Sequence, residues 1–361
     1  MSKKYVQMLL LTFAVCSAAR AAAPKYSNEF LSVGVGARAL GMGGAASATA
    51  ADACAAYWNP ALLTTLQPAR SAALMHAEYF AGVAKYDFGA FAYRLDSAAA
   101  IAATFIRFGV DDILNTTDLI DKDGNFSYDR LSYFSTADYA LAFSLAKKMK
   151  MAGRSLNVGA NAKIVYRSVG KFAAAYGFGI DLGAHCALGR WNFGVMLRDI
   201  TTTVNVWTYN ADALAVPAYV MPSGDTITNS VPGSRTEVTL PKVTLAAARS
   251  IRFGNDFSMH AELGLDVTTD GQRNVLVSTG WLNIDPKLGV EGSYKSMVFL
   301  RAGVNNVQRI SGFGSESHFA VQPNVGVGLR FMGFALDYAL TNIGSTGVST
   351  YSNVFSVSYG F

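Results

Sequence analysis

The most constraining feature of the sequence is its alternation. Over residues 156–167, Leu156, Val158, Ala160, Ala162, Ile164 and Tyr166 share one parity, while Asn157, Asn161, Lys163 and Arg167 share the other. Residues 176–186 set Tyr176, Phe178, Ile180, Leu182, Ala184 and Cys186 against Gly177, Gly179, Asp181, Gly183 and His185. The same period of two runs through 257–268 and 319–331. Successive side chains of a strand point to opposite faces, so each run predicts a strand with one apolar and one polar face. The runs exceed the five or six residues or so that are usual in soluble sheets. They match the roughly nine to eleven residues that cross a bilayer at a tilt.

Only 15% of the chain is charged and 51% is hydrophobic, the balance of a membrane protein. Yet no stretch of about 18 apolar residues follows residue 24, which argues against a helical span. The apolar region 88–108, for example, is broken by Arg94, Asp96 and Arg107. A chain that meets lipid without apolar helices must close its sheet, because unpaired N–H and C=O groups find no partner in hydrocarbon. The fold expected is therefore all-β, an antiparallel transmembrane barrel of about 14 strands, an even number as single-chain bacterial barrels require. The strands fall near 70–80, 84–94, 98–108, 135–147, 155–167, 173–187, 190–199, 237–250, 256–268, 286–295, 297–304, 319–331, 332–341 and 352–361. The first three alternate least cleanly, and 275–283 is left between strands.

The connections give a second test. Long ones, 109–134, 200–236, 269–285 and 305–318, follow strands three, seven, nine and eleven, while those around 95–97, 188–189, 296 and 331–332 are short and follow even strands. Short periplasmic turns with long outer loops are the asymmetry of outer-membrane barrels, although the connections after strands one and five are short too. A soluble β-sandwich also alternates, but the aromatics near strand ends, Trp191, Phe319, Phe331, Tyr351 and Phe361, fit lipid-facing girdles.

Both ends of the chain agree with export. Lys3 and Lys4, an apolar stretch from Tyr5 to Val15 and small residues to Ala23 read as a cleaved signal peptide over 1–23. The 30 lysines and arginines lose Lys3, Lys4 and Arg20 with it while the 25 acids lose none, so the apparent basicity comes mostly from the signal and gives no argument for nucleic acid. At the far end Tyr351, Phe355, Val357, Tyr359 and Phe361 share one parity, and a terminal Phe closing such a strand resembles the assembly signal of bacterial outer-membrane barrels. The expected location is the outer membrane, with its lipid as a partner.

Residues 28–66 break the pattern. They are rich in Gly and Ala and have no sustained period of two. Ala45 to Tyr57 predicts a short helix that Asn59-Pro60 would end. Small residues suit a plug packed inside a lumen, with Arg38 pairing to a lumen carboxylate. The expected organisation is a signal over 1–23, a plug over 24–67 and a barrel over 68–361.

The stretches Phe30-Leu31, Gly36-Ala37-Arg38, Gly41-Met42-Gly43-Gly44-Ala45, Ala51-Asp52 and Ala56-Tyr57-Trp58-Asn59-Pro60-Ala61 resemble the N-terminal signature of the PorV/PorQ family, within the FadL-like outer-membrane group. The Asn59-Pro60-Ala61 element also resembles the hatch of fatty-acid transporters of that group. The resemblance implies a 14-stranded barrel with an N-terminal plug, whose motif residues here are Arg38, Gly41, Gly43, Gly44, Asn59 and Pro60. It further implies one of two roles. One is an accessory of type IX protein secretion, with secreted cargo proteins or a secretion translocon as partner. The alternative is transport of a hydrophobic small molecule across the outer membrane.

The barrel reading turns Lys163, Arg167, Asp181, His185, Arg198, His260, Glu262, Asp266, Glu291, Arg330 and Asp337 toward the lumen, since charge on the lipid face is costly. The functional reading is a selective polar path. The plainer one, favoured because opposite signs are interspersed, is an ion-paired lumen that holds the plug. Catalysis, cofactors and metals find no support. The acidic stretch 121–129 lacks the glycine at six and the glutamate at twelve of a calcium loop, with Phe126 and Ser132 there instead. The run 34–41 places Ala39 where a nucleotide loop favours its third glycine, and no strand precedes it. The four histidines have no metal-ligand spacing, and a Ser–His lipase pair would have to face lipid. Cys54 and Cys186 are the only cysteines after the signal, and nothing demands that they pair.

Overall fold

A computed structural model describes residues 27–120, 125–151, 153–214, 219–220, 226–227, 235–311, 317–342 and 351–361; the signal segment lies outside them. The chain builds fourteen antiparallel strands. They are β1 (Arg70–Tyr79), β2 (Ala84–Arg94), β3 (Ala99–Asn115), β4 (Ser132–Met151), β5 (Arg154–Val169), β6 (Ala173–Leu188), β7 (Trp191–Arg198 continued by Thr203–Tyr209), β8 (Arg235–Thr239 continued by Lys242–Phe253), β9 (Phe257–Thr268), β10 (Asn283–Tyr294), β11 (Val298–Ser311), β12 (Ser317–Phe331), β13 (Phe334–Thr341) and β14 (Ser352–Gly360). β14 returns to β1 in register, Ser71 opposite Gly360 through Glu78 opposite Asn353, so the sheet is closed and has no edge.

Two strands are interrupted. β7 breaks at 199–202, where Asp199 and Thr202 take positive φ, yet β6 pairs with both of its halves. β8 breaks at Leu240-Pro241, where proline has no N–H to give the ladder. The described turns after even strands span 95–98, 189–190, 254–256, 295–297 and 332–333, and both ends of the barrel's chain lie on that side. By the asymmetry of such barrels this is the periplasmic end, and the longer connections face out.

Several expected loops are shorter than the alternation suggested. β3 and β4 run to 17 and 20 residues, so the loop begins at 116 and not at 109, and ends at 131. β7 continues through Trp207 and Tyr209, so the connection to β8 is 210–234 and not 200–236. β11 likewise continues through Ser311, and 275–283 contributes a two-residue strand, Val277–Ser278, beside β10. Above the bilayer both faces of a strand meet water, so pairing continues after alternation stops.

Residues 27–66 lie against the inner wall. α1 (Ala37–Gly41) packs on β11–β14, and a 3-10 turn over Pro60–Thr65 packs on β2–β6. The helix expected over 45–57 is reduced to one turn, α2 (Ala55–Trp58). The reason is that the wall and local side chains take the amides a helix would use. Ala48 N donates to Glu262 Oε1, Ala53 N to Ser71 Oγ and Cys54 N to Asp52 Oδ1. Asn59 does end α2, its backbone extended before Pro60, and its side chain caps the next turn by accepting from Ala61 N.

The wall has two kinds of face. On β5, β6 and β9 the outward positions carry Ile164, Phe178 and Leu263, while Lys163, Asp181 and Glu262 point in and are buried. On β1–β3 the inward positions are the apolar ones. Met75, Ala77, Tyr86, Phe88, Ala92, Ala102 and Ile106 form one core with Phe30, Val35, Trp58, Leu62 and Leu63 of the N-terminal segment. This is why the first strands read as mixed: their inner face meets apolar protein instead of water.

Candidate functional site

The candidate site is the occupied lumen. Four polar clusters join the N-terminal segment to the wall, and each rests on inward strand positions.

Arg38 on α1 donates from Nε to Glu291 Oε2 at 2.9 Å, from NH2 to Oε1 at 3.0 Å, and from NH1 to Thr49 O. Glu291 also accepts from Arg301 Nε at 2.6 Å, and Arg301 NH1 donates to Asp337 Oδ1 at 2.6 Å. Charges alternate along this chain, which is what makes buried ions tolerable. Across the lumen, Lys163 Nζ lies 2.7 Å from Asp181 Oδ1 and 2.6 Å from Asp199 Oδ1. Arg198 spreads over the Tyr57 ring at 4.3 Å and donates to Tyr57 O.

The third cluster gathers on Asp266, which takes Lys287 Nζ at 2.7 Å, Lys242 Nζ at 3.5 Å and the Thr244 hydroxyl. In the fourth, Glu262, almost fully buried, accepts from Ala48 N and from Thr49 Oγ1. His260 Nε2 sits 3.1 Å from Thr49 Oγ1 and its Nδ1 3.0 Å from Ser250 Oγ. Ser, His and Glu thus meet here, but the carboxylate binds the threonine and an amide and does not orient the imidazole, so the order is not that of a hydrolytic triad.

Arg167 stands apart toward the outer end, paired with Asp138 at 2.8 Å and Glu237 at 3.4 Å, and lies over the Trp207 ring, whose Nε1 donates to Glu237. Arg330, near the periplasmic turns, stacks on Phe299 at 4.7 Å. His185 joins Asn157 and Asn192 through its two ring nitrogens.

The glycines and Asn59-Pro60 sit where the segment's backbone touches the wall. Gly43 adopts φ 66°, and a Cβ on it would press on the Val304 backbone. Opposite, a Cβ on Gly303 would overlap the Met42–Gly43 peptide. Gly41 faces Gly326, and Gly44 faces the Trp58 ring. Asn59 Nδ2 donates to Ser47 O at 2.9 Å and Ala184 O at 3.0 Å, close against Gly183. Wall and segment are fitted by glycine on both sides, which allows the near contact of two backbones.

Alternation left several participants out: Arg301, Lys242, Lys287, Asp199, Asp138, Glu237 and Thr49. Arg301 carried a usable signal, since it shares parity with Phe299 and Gly303 and opposes Leu300 and Val304. Thr49 carried none, because its segment has no period. Within the expected loop 200–236, whose Trp207, Tyr209, Tyr219, Val220 and Met221 are apolar enough to grip a peptide or a lipid tail, Trp207 and Tyr209 are strand residues, the side chains of Tyr219 and Val220 are not described, and Met221 lies outside the described residues.

Two cavities border the segment. The larger, about 1000 Å³ at the periplasmic end, is lined by Thr49, Thr64, Thr65, Arg94, Asp96, Lys148, Asn157, His185 and Asn192 among others. The outer one, about 430 Å³, is lined by Glu29, Lys242, Asp266, Asp285, Lys287, Asn305, Asn306, Gln322 and Asn324 with Val33, Leu40 and Tyr79. In both linings polar residues outnumber apolar ones, though apolar side chains contribute to each.

A family model described as type IX secretion system protein PorV matches residues 19–206. No curated protein matches the chain. Among solved structures the chain is similar to the toluene transporter TodX of Pseudomonas putida, at 13% identity and a TM-score of 0.54 over 91% of this chain and 98% of that one. It is also similar to the toluene transporter TbuX of Ralstonia pickettii, at 14% identity and a TM-score of 0.53, with 91% and 98% covered. A FadL homologue of Pseudomonas aeruginosa matches at 13% identity and a TM-score of 0.50, again over 91% and 98%. At identities this low the likeness shows a shared barrel fold and nothing more.

Proposed function

Because the chain belongs to the PorV family of type IX secretion system proteins, we propose that it is an outer-membrane accessory of protein secretion that binds a secreted cargo protein or the secretion translocon through its outer face. Its role is one of binding and not of catalysis. The observation that carries this reading is the polar, ion-paired lumen. Sites for apolar molecules are lined mostly by apolar side chains with a few polar groups. Here amides, lysines and carboxylates outnumber the apolar residues Val33, Leu40, Tyr79 and Val275 in the outer cavity, and Arg38, Asn59 and Thr49 fasten the segment beneath it to the wall by ion pairs and hydrogen bonds. A passage for a hydrophobic molecule would have to break these contacts, so the second reading, transport like that of the toluene transporters that share the fold, is supported less well.

The test is a mild-detergent pull-down of the tagged protein from its own outer membrane, with co-eluting proteins and lipids identified by mass spectrometry. Secreted proteins or a large translocon in the eluate are expected. A lone barrel carrying stoichiometric fatty acid or another apolar ligand would overturn the proposal in favour of transport.

A further inference from the structure

The periplasmic end of β4–β8 carries cations that the chain leaves unanswered. Residues 147–156, 185–193 and 249–256 hold seven lysines and arginines against a single acid, Asp256. Among the described residues none of the seven has an ion-pair partner. Outward cations at the other end do meet acids of the chain, Lys85 with Asp111 and Arg107 with Asp87. Three of the seven face outward. Lys147 shares the parity of Phe143 and Leu145, Arg154 that of Ile164, and Arg249 that of Leu245. A fourth, Arg190, lies in the turn between β6 and β7.

The group gathers around Trp191, the first residue of β7, which faces outward and is exposed. An aromatic at a strand end on the lipid side marks the girdle where hydrocarbon gives way to headgroups. Register sets Arg249 of β8 directly opposite Trp191, level with the end of the shorter β6–β7 hairpin, and its guanidinium lies over the ring, 5.4 Å from the centroid. Arg190 precedes Trp191 in the chain, and Arg154 begins β5, which pairs with β6. Arg249 makes no hydrogen bond within the chain, and its Nε is shielded without a partner. A guanidinium laid on a ring keeps its terminal N–H groups in its own plane, where they engage a phosphate two at a time. Deeper on the same outward rows stand Leu145, Phe193 and Leu245, exposed as lipid-facing side chains are.

We propose that this arc of the periplasmic girdle binds the headgroup of an anionic phospholipid, its phosphate held by Arg154, Arg190 and Arg249 with Lys147 beside them. Position selects a lipid, because these side chains leave the wall sideways at the girdle, where the neighbouring molecules are headgroups. Charge selects an anionic one. A zwitterionic headgroup brings its own cation to its phosphate, whereas an anionic headgroup supplies the counter-charge that the chain withholds here. The inference fixes a leaflet and a headgroup charge. It stands on the wall alone and does not rest on the secretion role.

The test is native mass spectrometry of the whole barrel released from nanodiscs that hold equal amounts of phosphatidylglycerol and phosphatidylcholine with the same acyl chains. Folding of each variant is checked by the faster migration of an unboiled barrel on a gel. The wild type should retain phosphatidylglycerol at least about fivefold more often than phosphatidylcholine, the ratio that a single cation near an anionic surface supplies. Arg154→Gln, Arg190→Gln and Arg249→Gln combined should bring the two lipids near equality. Lys171→Gln with Arg235→Gln, at exposed cations of the outer end, should leave the wild-type ratio unchanged. Equal retention by the wild type would overturn the proposal even if the triple variant failed to fold, and so would a preference that survives in a folded triple variant. Benzoylphenylalanine at position 190 in the native outer membrane should give lipid adducts, and a discrete adduct with an acidic periplasmic protein in their place would overturn the lipid assignment. Secreted proteins retained in the pull-down without any lipid preference would leave the secretion reading standing and this one refuted.

Discussion

Arg38 and Glu291 stand 253 residues apart in sequence and meet fork to fork, Nε on Oε2 and NH2 on Oε1, at 2.9 and 3.0 Å. The pair fastens α1 to β10. Its removal leaves Glu291 buried with Arg301 as its remaining cation. Arg38→Ala should therefore lower barrel stability by about 2 kcal/mol, less than the roughly 3–5 kcal/mol for a buried ion stripped of every partner. Arg38→Lys should fall between, since a point charge cannot engage both oxygens. Denaturant unfolding in detergent micelles reads the difference, and an unchanged midpoint in Arg38→Ala would show that the pair does not hold the segment.

Asn59 is fully buried and satisfies three backbone groups, accepting from Ala61 N and donating to Ser47 O and Ala184 O. Asn59→Ala should cost about 2–3 kcal/mol, because those groups are left without partners in a site closed to water. Asn59→Asp keeps the cap on Ala61 but faces two carbonyls with a buried anion, so it should be worse than alanine. The order wild type, Ala, Asp in unfolding midpoint checks the argument; Asp equal to wild type would refute it.

Much of the barrel was legible because lipid and lumen impose opposite demands on alternate residues. β5, β6, β9 and β12 obey that rule along their spans. β1–β3 do not, because Tyr86, Phe88 and Ile106 meet Phe30, Trp58 and Leu63 on the inside while charges occupy the outside. The outer parts of β3 and β7, and the first three residues of β4, were read as loop because alternation needs a bilayer to enforce it. The ion pairs were legible only as a parity. Which carboxylate meets Arg38, or which lysines meet Asp266, depends on the stagger of strands far apart in sequence. The glycines of the segment gave a clearer signal than those of the wall, where Gly303 and Gly194 look like ordinary strand residues until the segment's backbone is seen against them.

That contact makes a graded prediction. A Cβ on Gly303 would overlap the Met42–Gly43 peptide, while one on Gly264, also inward, would meet only Lys287 Cβ at an ordinary 3.7 Å. Gly303→Ala should destabilise by about 1–3 kcal/mol through overpacking, and Gly264→Ala should be close to neutral. The double change Gly43→Leu and Gly44→Leu, at two positive-φ positions, should impair assembly itself. The yield of folded barrel after refolding into micelles measures all three, and equal yields would mean that wall and segment are not in close contact.

Cys54 and Cys186 lie on opposite sides of the wall, Cys54 buried in the segment and Cys186 on the outward parity of β6, and no disulfide joins them. Burial, and then Asp52, push the Cys54 thiol well above its usual pKa, so both access and ionisation slow its chemistry. In a Cys186→Ser background, a water-soluble maleimide should modify Cys54 at least roughly 100-fold more slowly in the folded barrel than in denaturant, equivalent to about 2.7 kcal/mol of local opening. Arg38→Ala should speed the folded-state reaction, because the loosened segment opens more often. Modification at the denatured rate in the intact barrel would mean that the segment does not stay packed in the lumen, and the ion-paired interior on which the binding role rests would be lost with it.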